Sequence, residues 1–262
     1  MKFFTIIVLS GVLFSCSDTQ GSEQNAPVKD SIPVSDTIIT STEDQASSII
    51  SEKPEDTIHL QELYSRQKAE ALSKKNFFKS KFNDSDSAYS LAREFLYNHL
   101  LNEIIPPWYG TAWDFNGYTD QPNKGFIACG YFVSTTLKHL GFNLNRYKVA
   151  QQYSLKIIEI LCGKENVKTW QPDQFDAMIN FLKDGGNDIF VVGLSCHVGY
   201  LSVESDTVYF IHSSYVHPLC VIKEYAELSE VLKSSGIFVT GSLLQNKELI
   251  RKWVYNEPIV VE

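Results

Sequence analysis

Cys129 is the residue in this sequence best placed to do chemistry. It lies in Ile127-Ala128-Cys129-Gly130-Tyr131-Phe132-Val133. A loop containing Asn123, Lys124 and Gly125 precedes it, and apolar residues at helical spacing follow (Phe132, Val133, Leu137, Leu140) up to Gly141 as a stop. The reading is a helix over 127–140 with Cys129 in its first turn. N–H groups of a first turn have no intrahelical partner and favour negative charge, so a thiol there gives up its proton more readily. The same N–H groups could hold an oxyanion. A cysteine so placed is disposed to attack a carbonyl. The local sequence fits a small buried cysteine equally well, and the histidines weigh against that.

Leu194–Val203 and Thr207–His212 read as two strands joined through Glu204-Ser205-Asp206, an antiparallel hairpin. With the turn centred between residues 204 and 205, His197 stands directly opposite His212, their Cβ atoms about 5 Å apart. Both would share a face with Leu201, Val203, Val208 and Phe210, the face a helix could cover. A nucleophile, a base and an orienting group then fall together. Cys129 attacks, His197 acts as general base and then acid, and His212 holds His197 in position. His59, His99 and His139 fall on predicted helices and read as structural; His217, beside Pro218, reads as a loop residue.

The chain has five cysteines, Cys16, Cys129, Cys162, Cys196 and Cys220, with no CxxC pair. No zinc site is expected, and no metal or cofactor. Cys196 and His197 are neighbours on a predicted strand, where adjacent side chains face opposite sides. Two of Cys162, Cys196 and Cys220 could form a disulfide, with the pairing left open.

The elements that must position these residues separate into two kinds. His59–Lys79, Ser85–Ile105, Ser154–Cys162 and Pro172–Lys183 read as helices, with Pro106-Pro107 ending the second. Ile189–Val203, Val208–Ser213 and Ile237–Leu244 read as strands, and Lys247–Val254 as a closing helix capped by Asn246. Helices first and strands later indicate an α+β domain. Between them, Trp108–Gly117 is rich in aromatics and forms a candidate substrate wall. Tyr109 and Trp113 would offer flat surface beside Trp108 and Phe115, and Asp114 a polar contact; an aromatic plug over the core is the competing reading.

The N-terminus carries Lys2 and an apolar run from Phe3 to Phe14, too short for a permanent membrane span. It ends in Leu13-Phe14-Ser15-Cys16, which resembles a bacterial lipobox. Residues 1–15 would then be a lipoprotein signal peptide and Cys16 the acylated residue. Residues 17–56 carry nine acids against two bases, so they hold most of the net charge of −8. That composition predicts that 16–56 is a disordered acidic tether for a folded body at 57–262. The protein is expected to be exported and held at a membrane through Cys16, on the periplasmic side or the cell surface, as a monomer. The body is nearly neutral and has no basic run, which sets nucleic acid aside.

The order Cys…His…His resembles the NlpC-type, papain-like cysteine peptidases of bacterial cell wall. Residues 127–133 match their helix-opening cysteine, His197-Val198-Gly199 their histidine strand, and His212 their third polar residue. Tyr109-Gly110-Thr111-x-Trp113 is similar to their Tyr- and Gly-rich approach to the nucleophile. The resemblance implies N-terminal helices packed on a small antiparallel sheet. It also implies cleavage of an amide in peptidoglycan stem peptides through a thiol acyl-enzyme. The chain departs from the family in reading Ala128-Cys129-Gly130 in place of Asp-Cys-Ser-Gly, and in extra helix over 143–183. An amidase, an acyltransferase, a thioester or lipid hydrolase, and an inactive binding lipoprotein are the alternatives.

Overall fold

Helices of the expected periodicity open the folded part of the chain. The computed structural model describes residues 54–261; the signal peptide, Cys16 and nearly all of the acidic tether lie outside the described residues. Helix α1 spans Pro54–Lys81 and α2 spans Asp86–His99. Ser85 caps α2, its Oγ accepting from the Ala88 N–H at 3.2 Å. The chain then runs through one π-helical turn, Leu100–Ile104, and Pro106 opens a short 3-10 turn that seats Trp108 in the core. Six further helices follow: α3 Cys129–His139, α4 Arg146–Ala150, α5 Ser154–Cys162, α6 Phe175–Asp184, α7 Glu230–Lys233 and α8 Lys247–Tyr255. Asn246 does cap α8, accepting from the Leu249 N–H at 3.1 Å. Among the described residues no helix is long and apolar enough to cross a membrane.

The domain is α+β, and its sheet is larger than the sequence suggests. Six antiparallel strands run in the order β1-β6-β2-β3-β4-β5, namely β1 Val167–Trp170, β2 Asp188–Gly193, β3 Val198–Glu204, β4 Thr207–Ser213, β5 Val221–Tyr225 and β6 Phe238–Ser242. The single strand expected over 189–203 is two strands, reversed by a tight turn at Ser195-Cys196 that Leu194 N–H closes onto the His197 carbonyl (2.8 Å). Edge strands β1 and β5 were not foreseen; Val-Lys-Thr-Trp and Val-Ile-Lys-Glu-Tyr are short and half polar.

Alternation along the strands divides the core in two. Val191, Val198, Tyr200 and Ile211 pack against the main helical layer, including Phe132, Val133 and Leu137 of α3. Phe190, Val192, Leu201, Val203, Val208 and Phe210 face the other way, against Met178, Ile179 and Leu182 of α6 and Val231 and Leu232 of α7. Every residue of β2 is buried because both of its faces are covered. No disulfide forms among Cys162, Cys196 and Cys220, because Cys162 and Cys220 are both free thiols. Cys162 is buried on α5 with its sulfur 3.2 Å from the Gly241 carbonyl.

Candidate active site

Cys129 is the first residue of α3 rather than its third. Ala128 is extended (φ −84°, ψ 162°) and offers no side-chain cap, so the first-turn amides stay available. The approach to the cysteine is fixed on three sides. Ile127 N–H donates to the Ala112 carbonyl (2.9 Å) and Ala128 N–H to the Gly117 carbonyl (2.8 Å). Ser213 Oγ, at the end of β4, donates to the Ile127 carbonyl at 2.7 Å. A Cβ at Gly130 would lie 2.7 Å from the Ala150 carbonyl oxygen of α4, so this packing admits only glycine after Cys129.

The strand ends supply the rest of the sulfur's surroundings. The His197 carbonyl points to β2, so the Val198 N–H points toward β4. The β3–β4 ladder stops at Tyr200↔Ile211, leaving that N–H without a strand partner. The amides of Val198, Gly130 and Cys129 itself all act on the sulfur and favour its thiolate; burial opposes them and is stronger, so the thiol pKa is pushed up. Cys129 is partly buried against the main core. It is a thiol held among amide dipoles, one of them that of Val198, the residue after His197. Among the described residues no hydrogen bond joins its sulfur to the His197 ring, whose Nε2 is bonded to His212.

The two histidines do meet, by a different register from the one expected. The hairpin turn is Ser205-Asp206 and Glu204 pairs with Thr207, so Gly199, not His197, lies across from His212. The shift is two residues, which preserves the face. His197 therefore reaches His212 diagonally, with Nε2 2.8 Å from His212 Nδ1 and ring planes at 87°. Gly199 makes the diagonal possible: a Cβ there would sit 2.7 Å from the Phe210 ring and 2.9 Å from the His212 Cβ. Gly199→Ala should therefore cost about 1–3 kcal/mol of stability by overpacking and displace His212. Urea melts together with a crystal structure of the variant check both.

A second correction concerns what covers this face. The histidines do share it with Leu201, Val203, Val208 and Phe210, yet α6 and α7 cover it, while α3 lies on the opposite face. His197 immediately precedes β3, whose first residue, Val198, turns its amide toward the Cys129 sulfur. Both rings are buried. Phe210 stacks on His212, centroids 3.9 Å apart. Burial, and then the charge of His212, holds the His197 pKa well below its ordinary value. Burial also lowers that of His212, against the pull of Glu224. At neutral pH both rings are uncharged.

Glu224 is the residue that sequence reasoning missed. Its Oε1 lies 3.2 Å from His212 Nε2, reached diagonally from β5, where Glu224 pairs with Phe210. Burial raises its carboxyl pKa, but hydrogen bonds from His212 and Ser229 outweigh this and leave it below the usual value. The only signal in the sequence was an acid in a Val-Ile-Lys-Glu-Tyr run that alternates apolar and polar.

The proposed aromatic wall is divided. Trp108 is fully buried, its Nε1–H donating to Tyr64 Oη (2.7 Å), so it belongs to the core. Tyr109 packs on the same core, and its hydroxyl pKa is raised by burial and by Glu204. Asp114 is exposed and accepts from the Asn116 N–H (2.8 Å), which makes it a turn-former. The Trp113 ring lies 6.3 Å from that of Tyr215, which in turn lies edge-on 5.1 Å from the His197 ring. Tyr215 was not anticipated at the site. Across from it, Tyr131 of α3 contacts Tyr118 and Tyr147 at 6.2 and 5.8 Å. No group of His, Cys, Asp and Glu side chains among the described residues is arranged to hold a metal ion.

No family model, no curated protein and no solved structure matches this chain.

Proposed function

We propose that this chain is a cysteine hydrolase acting through a thiol acyl-enzyme, with Cys129 as nucleophile, His197 as general base and His212 orienting His197. The observation that supports the reading is the setting of the sulfur together with the histidine pair. The Cys129 sulfur is acted on by three backbone amides, one of them that of Val198, and the residue before Val198, His197, is a neutral imidazole bonded to a second one at 2.8 Å. Each part has a chemical use. The uncharged ring can accept the thiol proton as the sulfur attacks a carbonyl carbon. Amides at the tip of α3 can hold the oxyanion that forms. The protonated ring then returns its proton to the leaving group, and water, activated by the same ring, releases the acyl group.

A papain-like arrangement of the NlpC type is the fold this reading favours, since the helix-opening cysteine, the His-Val-Gly strand and the third histidine follow one another in that family's order. Peptidoglycan stem peptides are the substrate proposed on the same resemblance, with the protein exported and anchored through acylated Cys16. An acyltransferase or thioester hydrolase would use the same groups.

The test is covalent capture. The full-length protein is mixed with an activated acyl ester, and separately with purified peptidoglycan, quenched in acid, and its mass measured. One acyl group on the Cys129 peptide, disappearing as free acid accumulates, is the expected result. Turnover with Cys129 never modified would sink the proposal.

A further inference from the structure

We infer that Glu224 is a positioning residue for this reaction: through His212 it fixes the tautomer of His197 and makes Nδ1 the base atom. The inference rests on the role proposed for Cys129 and His197. Two hydrogen bonds carry it, Glu224 Oε1 to His212 Nε2 at 3.2 Å and His212 Nδ1 to His197 Nε2 at 2.8 Å.

A neutral imidazole has one N–H and one lone pair, and which nitrogen holds which is decided by its partners. An ionised carboxylate only accepts, so His212 must present its N–H at Nε2. Its Nδ1 is then a lone pair, and His197 must donate to it from Nε2. His197 is left with its lone pair on Nδ1, the one ring nitrogen not spent inside the relay. A base needs that free lone pair to take the thiol proton. In the opposite tautomer Nδ1 already carries a proton and has no lone pair to take the thiol's, and the ring's lone pair lies on Nε2, facing His212.

The surroundings hold the relay rigid. Both rings are buried, Phe210 lies flat on His212, and Gly199 leaves open the diagonal across which the rings touch. Glu224 is itself anchored by Ser229, which is fully buried at the start of α7. When the thiol proton reaches Nδ1, His197 becomes an imidazolium whose Nε2–H still points to His212. The Glu224 charge then sits at the far end of the relay, where it favours the cation that has just formed.

Three full-length variants test this, each checked for folding by its thermal melt. Nitrogen-15 NMR of labelled wild-type protein should show His197 protonated at Nε2 and bare at Nδ1. Glu224→Ala should scramble the tautomers of both rings and lower kcat on an activated ester about 100-fold with KM little changed. Glu224→Gln keeps an acceptor oxygen, so it should retain the tautomers and lose about tenfold. His212→Ala should lower kcat at least as much as Glu224→Ala. A wild-type His197 protonated at Nδ1, or a folded Glu224→Ala with unchanged tautomers and kcat, would overturn the inference. Cys129→Ala distinguishes the premise: if that variant turns over, the nucleophile assignment fails whatever Glu224 does.

Discussion

Cys129→Ala should lower turnover by at least about 10⁴-fold, the scale on which removing a nucleophile acts, and leave the melting temperature within a few degrees of wild type. The two halves of that expectation have separate causes. Turnover disappears because the sulfur that would form the acyl-enzyme is gone. Cys162 is sealed in the core, its thiol pushed strongly up by burial; burial raises the Cys220 thiol as well, and Cys196 is held in a disulfide. Stability survives because Cys129 is only partly buried and the change removes a single sulfur atom. Losing the sulfur uncovers three amides, which water can reach. Cys129→Ser is the sharper control. Its oxygen keeps an acceptor before the same amides, so folding is preserved, while the hydroxyl is far harder to ionise. Steady-state assay on an activated ester, with thermal melts of both variants, checks the pair. A folded alanine variant retaining a tenth of the activity would mean that Cys129 is not the nucleophile.

How far this site could be read in advance depended on the range over which each signal acts. The helix tip was legible because Ala128-Cys129-Gly130 and the apolar spacing after it are local, and only the start of α3 moved, from 127 to 129. The histidine pair was legible in its face and misjudged in its register. Ser205 adopts a left-handed φ of 59°, so two residues, Ser205 and Asp206, suffice to turn the chain. An error of two residues keeps every side chain on its side of the sheet, which is why the rings still meet; an error of one would have separated them. Gly199 then converts an opposed pair into a diagonal one, and nothing local announces that. Glu224 was illegible for a different reason. Residues 214–220 separate β4 from β5, and a loop of that length leaves the register of the next strand undetermined by sequence. The aromatic segment does not stay together, Trp108 lying in the core and Phe115 exposed. Trp108 is drawn inward by the turn at Pro106, and only Trp113 is carried out to Tyr215.

The same burial that keeps the site's rings neutral makes the fold sensitive to acid. His139 lies at the end of α3, its Nδ1 2.9 Å from the Tyr64 hydroxyl, which itself accepts from Trp108. Burial, and then the charge of Lys68, lowers its pKa from 6.5 to about 3. His197 and His212 are lowered as well, both chiefly by burial. A histidine whose folded pKa lies below its unfolded value takes up a proton more readily when unfolded, so its folded state loses ground as pH falls below about 6.5. For His139 that loss is about 2 kcal/mol at pH 5 and continues down to about pH 3, because each pH unit over which only the unfolded chain holds the proton costs about 1.4 kcal/mol. Carboxylates held low in the fold, Glu224 and Glu248 among them, add to it only below about pH 4.5. Asp188, raised by burial, works in the opposite direction, its stabilising effect appearing as it binds a proton. Between about pH 6.5 and pH 5 the histidines therefore dominate, and urea midpoints should fall steeply over that interval. His139→Gln, which keeps a polar partner for Tyr64 without titrating, should flatten the slope by roughly the share assigned to His139. A midpoint unchanged from pH 7 to pH 5 would mean that these rings take up protons in the folded state as readily as in the unfolded one, and the neutral base at His197 would lose its physical ground.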